Sequence, residues 1–234
     1  MIAVRLENVT KEFGEIVALD EVTISIEKGE IYGLLGRNGA GKTTLLRIIA
    51  GQAFATRGKT EISQDTQNGF RQIGSLIDGA GAFLNLSGYK NLLLFASLVG
   101  ESPQNVKKVL DLVGLSDAAK RRVSNYSLGM KQRLGLAIAL LGNPPIIVLD
   151  EPFNGLDPLG VRMMSDLIIR LNIEENKTFV ISSHMLGELE RITTRCGFID
   201  QGRLIEELTR EEVEQGKLEE YFLEKVGYEN SKVC

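Results

Sequence analysis

Gly36-Arg37-Asn38-Gly39-Ala40-Gly41-Lys42-Thr43 decides how the rest of this chain is read. The stretch fits the phosphate-loop pattern G-x-x-x-x-G-K-[ST], known as Walker A. Its glycines let the backbone fold around a phosphate with N–H groups turned inward. The helix N-terminus that follows adds partial positive charge. Lys42 can reach the β- and γ-phosphates, the Thr43 hydroxyl suits Mg²⁺, and Thr44 can donate to the α-phosphate. Context strengthens the match. Ile31-Tyr32-Gly33-Leu34-Leu35 is a continuous apolar run, as in a strand buried on both faces. Lys42 to Ala50 carries a helix pattern. An ordinary glycine-rich turn does not need this strand–loop–helix order.

Downstream, Ile146-Ile147-Val148-Leu149-Asp150-Glu151 is four apolar residues ending in two carboxylates, the Walker B pattern. In an open α/β sheet, strand C-terminal ends face the ligand crevice. Asp150 there would hold Mg²⁺, through water. Glu151 would orient and polarise the attacking water, with Lys42 stabilising charge on the transferred phosphoryl group. Alone, such a run is also a strand capped by two surface acids; its pairing with Walker A favours chemistry.

The surrounding pattern is α/β. Ile2, Val4 and Leu6 alternate with polar neighbours, as do Val22, Ile24 and Ile26, so the N-terminal part reads as strands. From Asp78 to Asn143 helical faces take over: Leu92, Leu93, Phe95, Ala96 and Val99, then Val106, Val109, Leu110 and Val113, then a helix from about Met130 to Leu141. Strands return at Ile146–Leu149 and Thr178–Ser182, with a helix from Leu159 to Leu171 between them. Gly197 to Glu206 reads as a hairpin turning at Asp200-Gln201-Gly202-Arg203. The charged tail from Thr209, with Glu211, Glu212, Glu214, Lys217, Glu219 and Glu220, reads as a helix with a solvated face.

Composition narrows the function classes. The chain has 234 residues, 43% hydrophobic and 25% charged, a balance suited to a folded globular protein. Lys plus Arg number 27 against 31 Asp plus Glu, which argues against a nucleic-acid partner. Two cysteines, Cys196 and Cys234, make no disulfide framework, and a lone His184 makes no histidine-rich metal site. Cys196 is expected to be a small buried residue. The N-terminus lacks the basic-then-apolar run of a signal peptide. The apolar stretch from Leu134 to Leu149 is cut by Asn143-Pro144-Pro145, short of the roughly 20 residues that cross a bilayer. A membrane role therefore needs a partner.

Tyr126-Ser127-Leu128-Gly129-Met130-Lys131-Gln132-Arg133 lies ahead of Walker B at a helix start. With it, the chain resembles the nucleotide-binding domain of an ATP-binding cassette (ABC) transporter over nearly its whole length. The family signature is usually Leu-Ser-Gly-Gly-Gln. Ser127 and Gly129 match it; Leu128 replaces the first glycine and Met130 the glutamine. Ser127 is equally an N-cap for a core helix. Phe153-Asn154-Gly155-Leu156-Asp157-Pro158 stands at the family's D-loop spacing, though Asp157 as N-cap with Pro158 at N1 explains it as well. Ser182-Ser183-His184 matches the switch histidine. Phe13, in Lys11-Glu12-Phe13-Gly14, stands where the family carries an aromatic that stacks on adenine; a lone Phe is otherwise core. Asp78, in Ile73-Gly74-Ser75-Leu76-Ile77-Asp78, takes the place of the Q-loop glutamine. It either touches the Mg²⁺ shell or is a surface turn residue. The acid there and Tyr-Ser-Leu-Gly-Met are similar to the bacitracin and lantibiotic exporter subgroup.

The resemblance implies a P-loop NTPase of ABC type: an α/β fold with a mixed core sheet, an N-terminal antiparallel β sub-domain and an inserted α-helical sub-domain. It implies one ABC ATPase domain over 1–234, with a catalytic core at 1–78 and 144–208, a helical sub-domain at 79–143 and a helical tail at 209–234. ATP with Mg²⁺ is the implied ligand. Implied nucleotide contacts are Phe13, Gly36, Arg37, Asn38, Gly39, Ala40, Gly41, Lys42, Thr43, Thr44, Ser127, Gly129 and Asp157. Implied metal ligands are Thr43, Asp150 and Asp78. Glu151, His184 and Lys42 are the implied catalytic groups. The implied partners are a membrane permease on a separate chain and a second ATPase, identical or a sister, that shares two ATP molecules. That places the protein at the inner face of the cell membrane. Gly79-Ala80-Gly81-Ala82-Phe83-Leu84 would line a groove for the permease or form a flexible loop.

Rival classes fit less well. Asn176-Lys177-Thr178-Phe179 lacks the Asp of a guanine reader. The segment from Asp78 to Asn143 is too short for the coiled-coil insertion of a chromosome or repair ATPase, and one Walker A is too few for a two-cassette translation factor. A catalytically silent nucleotide-binding module is the main alternative. Intact Lys42, Asp150, Glu151 and His184 speak against it.

Overall fold

The computed structural model describes residues 1–63, 72–79, 81–214, 218–222 and 224. Ala80, Lys217 and Cys234 lie outside the described residues. In chain order the elements are β1 (Ile2–Phe13), β2 (Ile16–Glu27), β3 (Ile31–Leu35), α1 (Lys42–Ile49), β4 (Arg57–Ile62), β5 (Ile73–Leu76), α2 (Gly88–Leu98), α3 (Pro103–Leu112), α4 (Leu128–Leu140), β6 (Ile146–Asp150), α5 (Pro158–Glu175), β7 (Thr178–Ser182), α6 (Leu186–Ile192), β8 (Arg195–Asp200), β9 (Arg203–Leu208), α7 (Arg210–Glu214) and α8 (Leu218–Phe222). They fall into two compact units, Met1–Ser63 with Thr178–Cys234, and Gln64–Lys177.

The first unit holds two kinds of sheet. β1 pairs antiparallel with β2 and with β4; Val4 and Leu6 are buried in alternation, and after a register shift at Asn8 (φ 49°) Val9 is buried as well. β3 lies between β7 and β8, parallel to both, and all five of its residues are buried. A strand buried on both faces reads as a continuous apolar run, which is why Ile31–Leu35 does not alternate. β9 closes the hairpin with β8, Asp200 facing Arg203 across Gln201 (φ 44°) and Gly202 (φ 79°). Two left-handed residues in a row suit the twist of a two-residue hairpin turn. Cys196 is buried, and burial pushes its thiol up to about 12. In the tail, Val213 and Leu218 are buried, so α7 and α8 each seat an apolar residue beside their acids.

Arg195, at the start of β8, ties this unit together. Its Nε lies 2.9 Å from Glu30 Oε1, its Nη2 donates to the Ser25 carbonyl, and its guanidinium sits 5.2 Å from the Tyr32 ring centre. The Tyr32 hydroxyl in turn donates to Glu207 Oε1 at 2.8 Å. Burial raises the Glu30 carboxyl from its ordinary range, against backbone hydrogen bonding and the pull of Arg195. Removing one partner of a partly buried ion pair leaves the other charge poorly solvated, and the Ser25 carbonyl loses its donor as well. Arg195→Ala is therefore expected to cost about 2 kcal/mol of folding stability. A fall in the urea midpoint at unchanged slope would register it; an unchanged midpoint would refute it.

The second unit carries the helices. β5 and β6 pair in parallel, Leu76 beside Leu149. Ser87 and Ser102 cap α2 and α3 by accepting from Lys90 N–H and Asn105 N–H. α4 is buried continuously from Leu134 to Leu140. It begins at Leu128, two residues before the expected start, because Ser127 caps it there. α5 runs to Glu175, past the expected Leu171, until Asn176 (φ 51°) takes the left-handed conformation that ends helices.

Candidate active site

The phosphate loop joins β3 to α1. Gly41 stands just before α1 at φ 110°, a conformation that side chains rarely adopt. A Cβ there would also come within 2.7 Å of the Ala18 carbonyl oxygen. Glycine is required on both counts. Two other segments of the unit support the loop. Ala18 and Leu19 of β2 press on Gly41, and Gly202 of the β8–β9 turn donates its N–H to the Ala40 carbonyl at 2.9 Å. Gly202 also accepts from Asp20 N–H at 2.8 Å. Sequence reasoning assigned Gly202 only to its hairpin. No local signal marks it as a prop for the phosphate loop.

Lys42 is only 6% exposed. Its ammonium donates to the Gly36 carbonyl at 2.7 Å and the Arg37 carbonyl at 3.2 Å. These bonds hold the charge inside the loop, where an anion would meet it. Arg37, Asn38 and Gly39 are exposed, while Thr43 and Thr44 are half-buried in the first turn of α1. No acidic side chain occupies that turn. Because Leu34 pairs with Ser182 in parallel register, His184 leaves β7 at the same edge of the sheet where the loop leaves β3. His184 is exposed. Phe13 ends β1, 52% exposed, with Lys11 Nζ 4.9 Å from its ring centre. It is thus not a core residue, and its open face suits stacking.

The second unit presents the acids. Asp150 ends β6, half-buried, and Glu151 follows at φ 49°. Asp78 lies two residues beyond Leu76, as Glu151 lies two beyond its partner Leu149. Asp78 has φ 57°. Two non-glycine residues with positive φ thus stand at the same end of adjacent parallel strands. Such conformations are uncommon and cluster at functional sites. Nothing in the sequence marks them.

Ser127 and Asp157 do cap helices. Ser127 Oγ accepts from Met130 N–H at 3.2 Å, and Asp157 Oδ1 accepts from Gly160 N–H at 2.7 Å. Both are exposed. Both line one cavity of about 370 Å³, together with Leu128, Gly129, Gly155 and Leu156. The expected signature loop and D-loop are therefore neighbours within this unit.

A family model described as ABC transporter matches residues 19–154, more than half of the chain. The chain belongs to the ABC transporter family. Over 216 residues this ABC protein is 41% identical to the bacitracin transport ATP-binding protein BcrA of Enterococcus faecalis, covering 90% of this chain and 70% of that one. Over 230 residues it is 37% identical to the lantibiotic transport ATP-binding protein SrtF of Streptococcus pyogenes, covering 97% and 99%. Among solved structures, it resembles the dimeric post-hydrolysis state of the ATP-binding cassette MJ0796 bound to ADP and Pi. The TM-score is 0.80 at 27% identity, over 88% of this chain and 98% of that one. The ABC chain is accordingly an ATP-binding, ATP-hydrolysing subunit of a transporter, with the cassette fold. No helix among its described residues is long and apolar enough to cross a membrane.

Proposed function

We propose that this subunit hydrolyses ATP between two cassettes and so drives a separate membrane permease that exports an antibiotic peptide. The observation that carries the proposal is the caged ammonium of Lys42 inside a glycine-bounded loop at a helix start. Main-chain N–H groups from Gly36 to Gly41 and the Thr43 and Thr44 donors grip the phosphates, with Arg37, Asn38, Gly39 and Ala40 forming the wall. Phe13 stacks on adenine. Ser127, Gly129 and Asp157 meet the ATP held by the other cassette.

The donor set fits Mg²⁺. Thr43, Asp150 and Asp78 offer hard oxygen ligands, and no cluster of three or more acidic, His or Cys residues forms an all-protein cage among the described residues. Mg²⁺ ordinarily takes one or two carboxylates, several waters and the substrate phosphates. When bound it would neutralise charge on the phosphate oxygens. Glu151 accepts a proton from the attacking water, His184 positions that water beside the γ-phosphate, and Lys42 holds the charge that develops on the oxygens. Residues 1–78 with 144–208 serve as the catalytic core, 79–143 as the helical sub-domain and 209–234 as the tail. Phe83 and Leu84, each about half exposed, supply an apolar surface on the helical sub-domain for the permease.

The acid at position 78 gives a local test. Asp78→Asn keeps a side chain that tolerates the left-handed conformation and removes only the charge. It is expected to lower turnover about tenfold and to raise the Mg²⁺ needed for half-maximal rate. Wild-type values on both would make Asp78 a turn residue only. For the whole proposal, co-expression with a multi-span permease of the bacitracin or lantibiotic exporter type should carry this chain to the membrane fraction and confer ATP-dependent resistance to a bacitracin-like or lantibiotic peptide. Sedimentation without the permease, or resistance unaffected by loss of Glu151, would overturn the coupling.

A further inference from the structure

The departure of Leu128 from the usual signature glycine has a structural counterpart. Leu128 opens α4, and its side chain lies over Gly155, so closely that a Cβ built on Gly155 would overlap Leu128 Cδ2. Gly155 sits at φ 70°. The fit is reciprocal: a Cβ built on Gly129 would stand 3.0 Å from Leu156 Cδ2. Each loop thus offers one leucine and one glycine, and each leucine fills the space the other loop's glycine leaves. Ser127 and Asp157, the two exposed caps, flank these pairs, each immediately outside a leucine in sequence.

We propose that Leu128 is a positioning residue, whose side chain seated on Gly155 clasps the N-terminus of α4 to the loop before α5, so that Ser127 and Asp157 meet nucleotide as one body. The proposal rests on the shared-site function above. A clasp of this kind restricts the angle between two helix starts. The caps then need not find each other anew when an ATP-bearing partner docks, and less ordering remains to be done at closure. Restoring the family's glycine should therefore impair this chain, not improve it. The resemblance to the family pattern alone leads to the opposite expectation.

The test uses the 234-residue chain with four changes: Leu128→Gly, Leu128→Met, Gly155→Ala and the double variant Leu128→Gly/Gly155→Ala. Leu128→Gly is expected to lower kcat for ATP hydrolysis about tenfold, since small misplacements of positioning groups are amplified in rate. Its ATP affinity by calorimetry, at protein concentrations too low for pairing, should stay within about twofold, because the phosphate loop is untouched. Leu128→Met refills the same space and should keep kcat within about threefold. Gly155→Ala should fall below Leu128→Gly, because its new methyl displaces the leucine and also strains the left-handed backbone at φ 70°. The double variant, with that overlap relieved, should turn over faster than Gly155→Ala alone. A Leu128→Gly chain with wild-type kcat overturns the clasp, as does a double variant no faster than Gly155→Ala. Wild-type protein that neither binds nor hydrolyses ATP overturns the shared-site function beneath it instead.

Discussion

Glu151→Gln is expected to cut ATP hydrolysis about a thousandfold while leaving ATP binding intact, the scale of losing a positioned general base. The change is isosteric and removes one negative charge next to Asp150. Glu151 follows directly on β6, so its backbone is fixed by the buried strand Ile146–Leu149 and by the turn in which Asn154 N–H donates to the Glu151 carbonyl at 3.1 Å. Gln keeps that geometry and can still hydrogen-bond a water, but it cannot take the proton. In the proposed shared-site mechanism hydrolysis removes the contacts between two cassettes, so the variant should accumulate as an ATP-held dimer. Light scattering with saturating MgATP would read twice the monomer mass for Glu151→Gln and a mixture or monomer for the wild type. A variant that hydrolyses within tenfold of wild type would assign the base elsewhere, with His184 the next group to replace.

The second large effect belongs to Lys42. Lys42→Ala is expected to weaken ATP binding about a hundredfold, roughly 3 kcal/mol, as charge-assisted hydrogen bonds to two phosphates are lost. It should abolish measurable turnover. The loss has two parts. The ammonium no longer meets the phosphates, and the Gly36 and Arg37 carbonyls lose the donor that holds the loop's entry in shape. Lys42→Arg keeps the charge but not the compact ammonium, and the buried slot has little room for a planar guanidinium. It should rescue poorly. Unchanged affinity in Lys42→Ala, measured by calorimetry, would mean that the loop is an ordinary turn.

Much of this was legible because it is local. The phosphate loop, the buried run Ile31–Leu35 and the Ser127 and Asp157 caps each carry their reason within a few residues of sequence. The limits of α4 and α5 moved for equally local reasons, a cap at Ser127 and a left-handed stop at Asn176. What was not legible depends on residues far apart. Gly202 supports Ala40 across the β8–β9 turn, and Arg195 gathers Ser25, Glu30 and Tyr32 from a distant part of the chain. Leu128 reads as a defect in a motif until Gly155 is seen beneath it. The positive φ angles at Asp78 and Glu151 are likewise invisible in composition, since neither residue type demands them.

The most direct test is a calorimetric titration of the purified chain with ATP in the presence and absence of Mg²⁺. A phosphate loop built as described takes up one nucleotide per chain, more tightly with Mg²⁺, and the Lys42→Ala chain gives a markedly weaker isotherm under the same conditions. A flat titration of the wild-type chain with MgATP, at concentrations where it is folded, would contradict it.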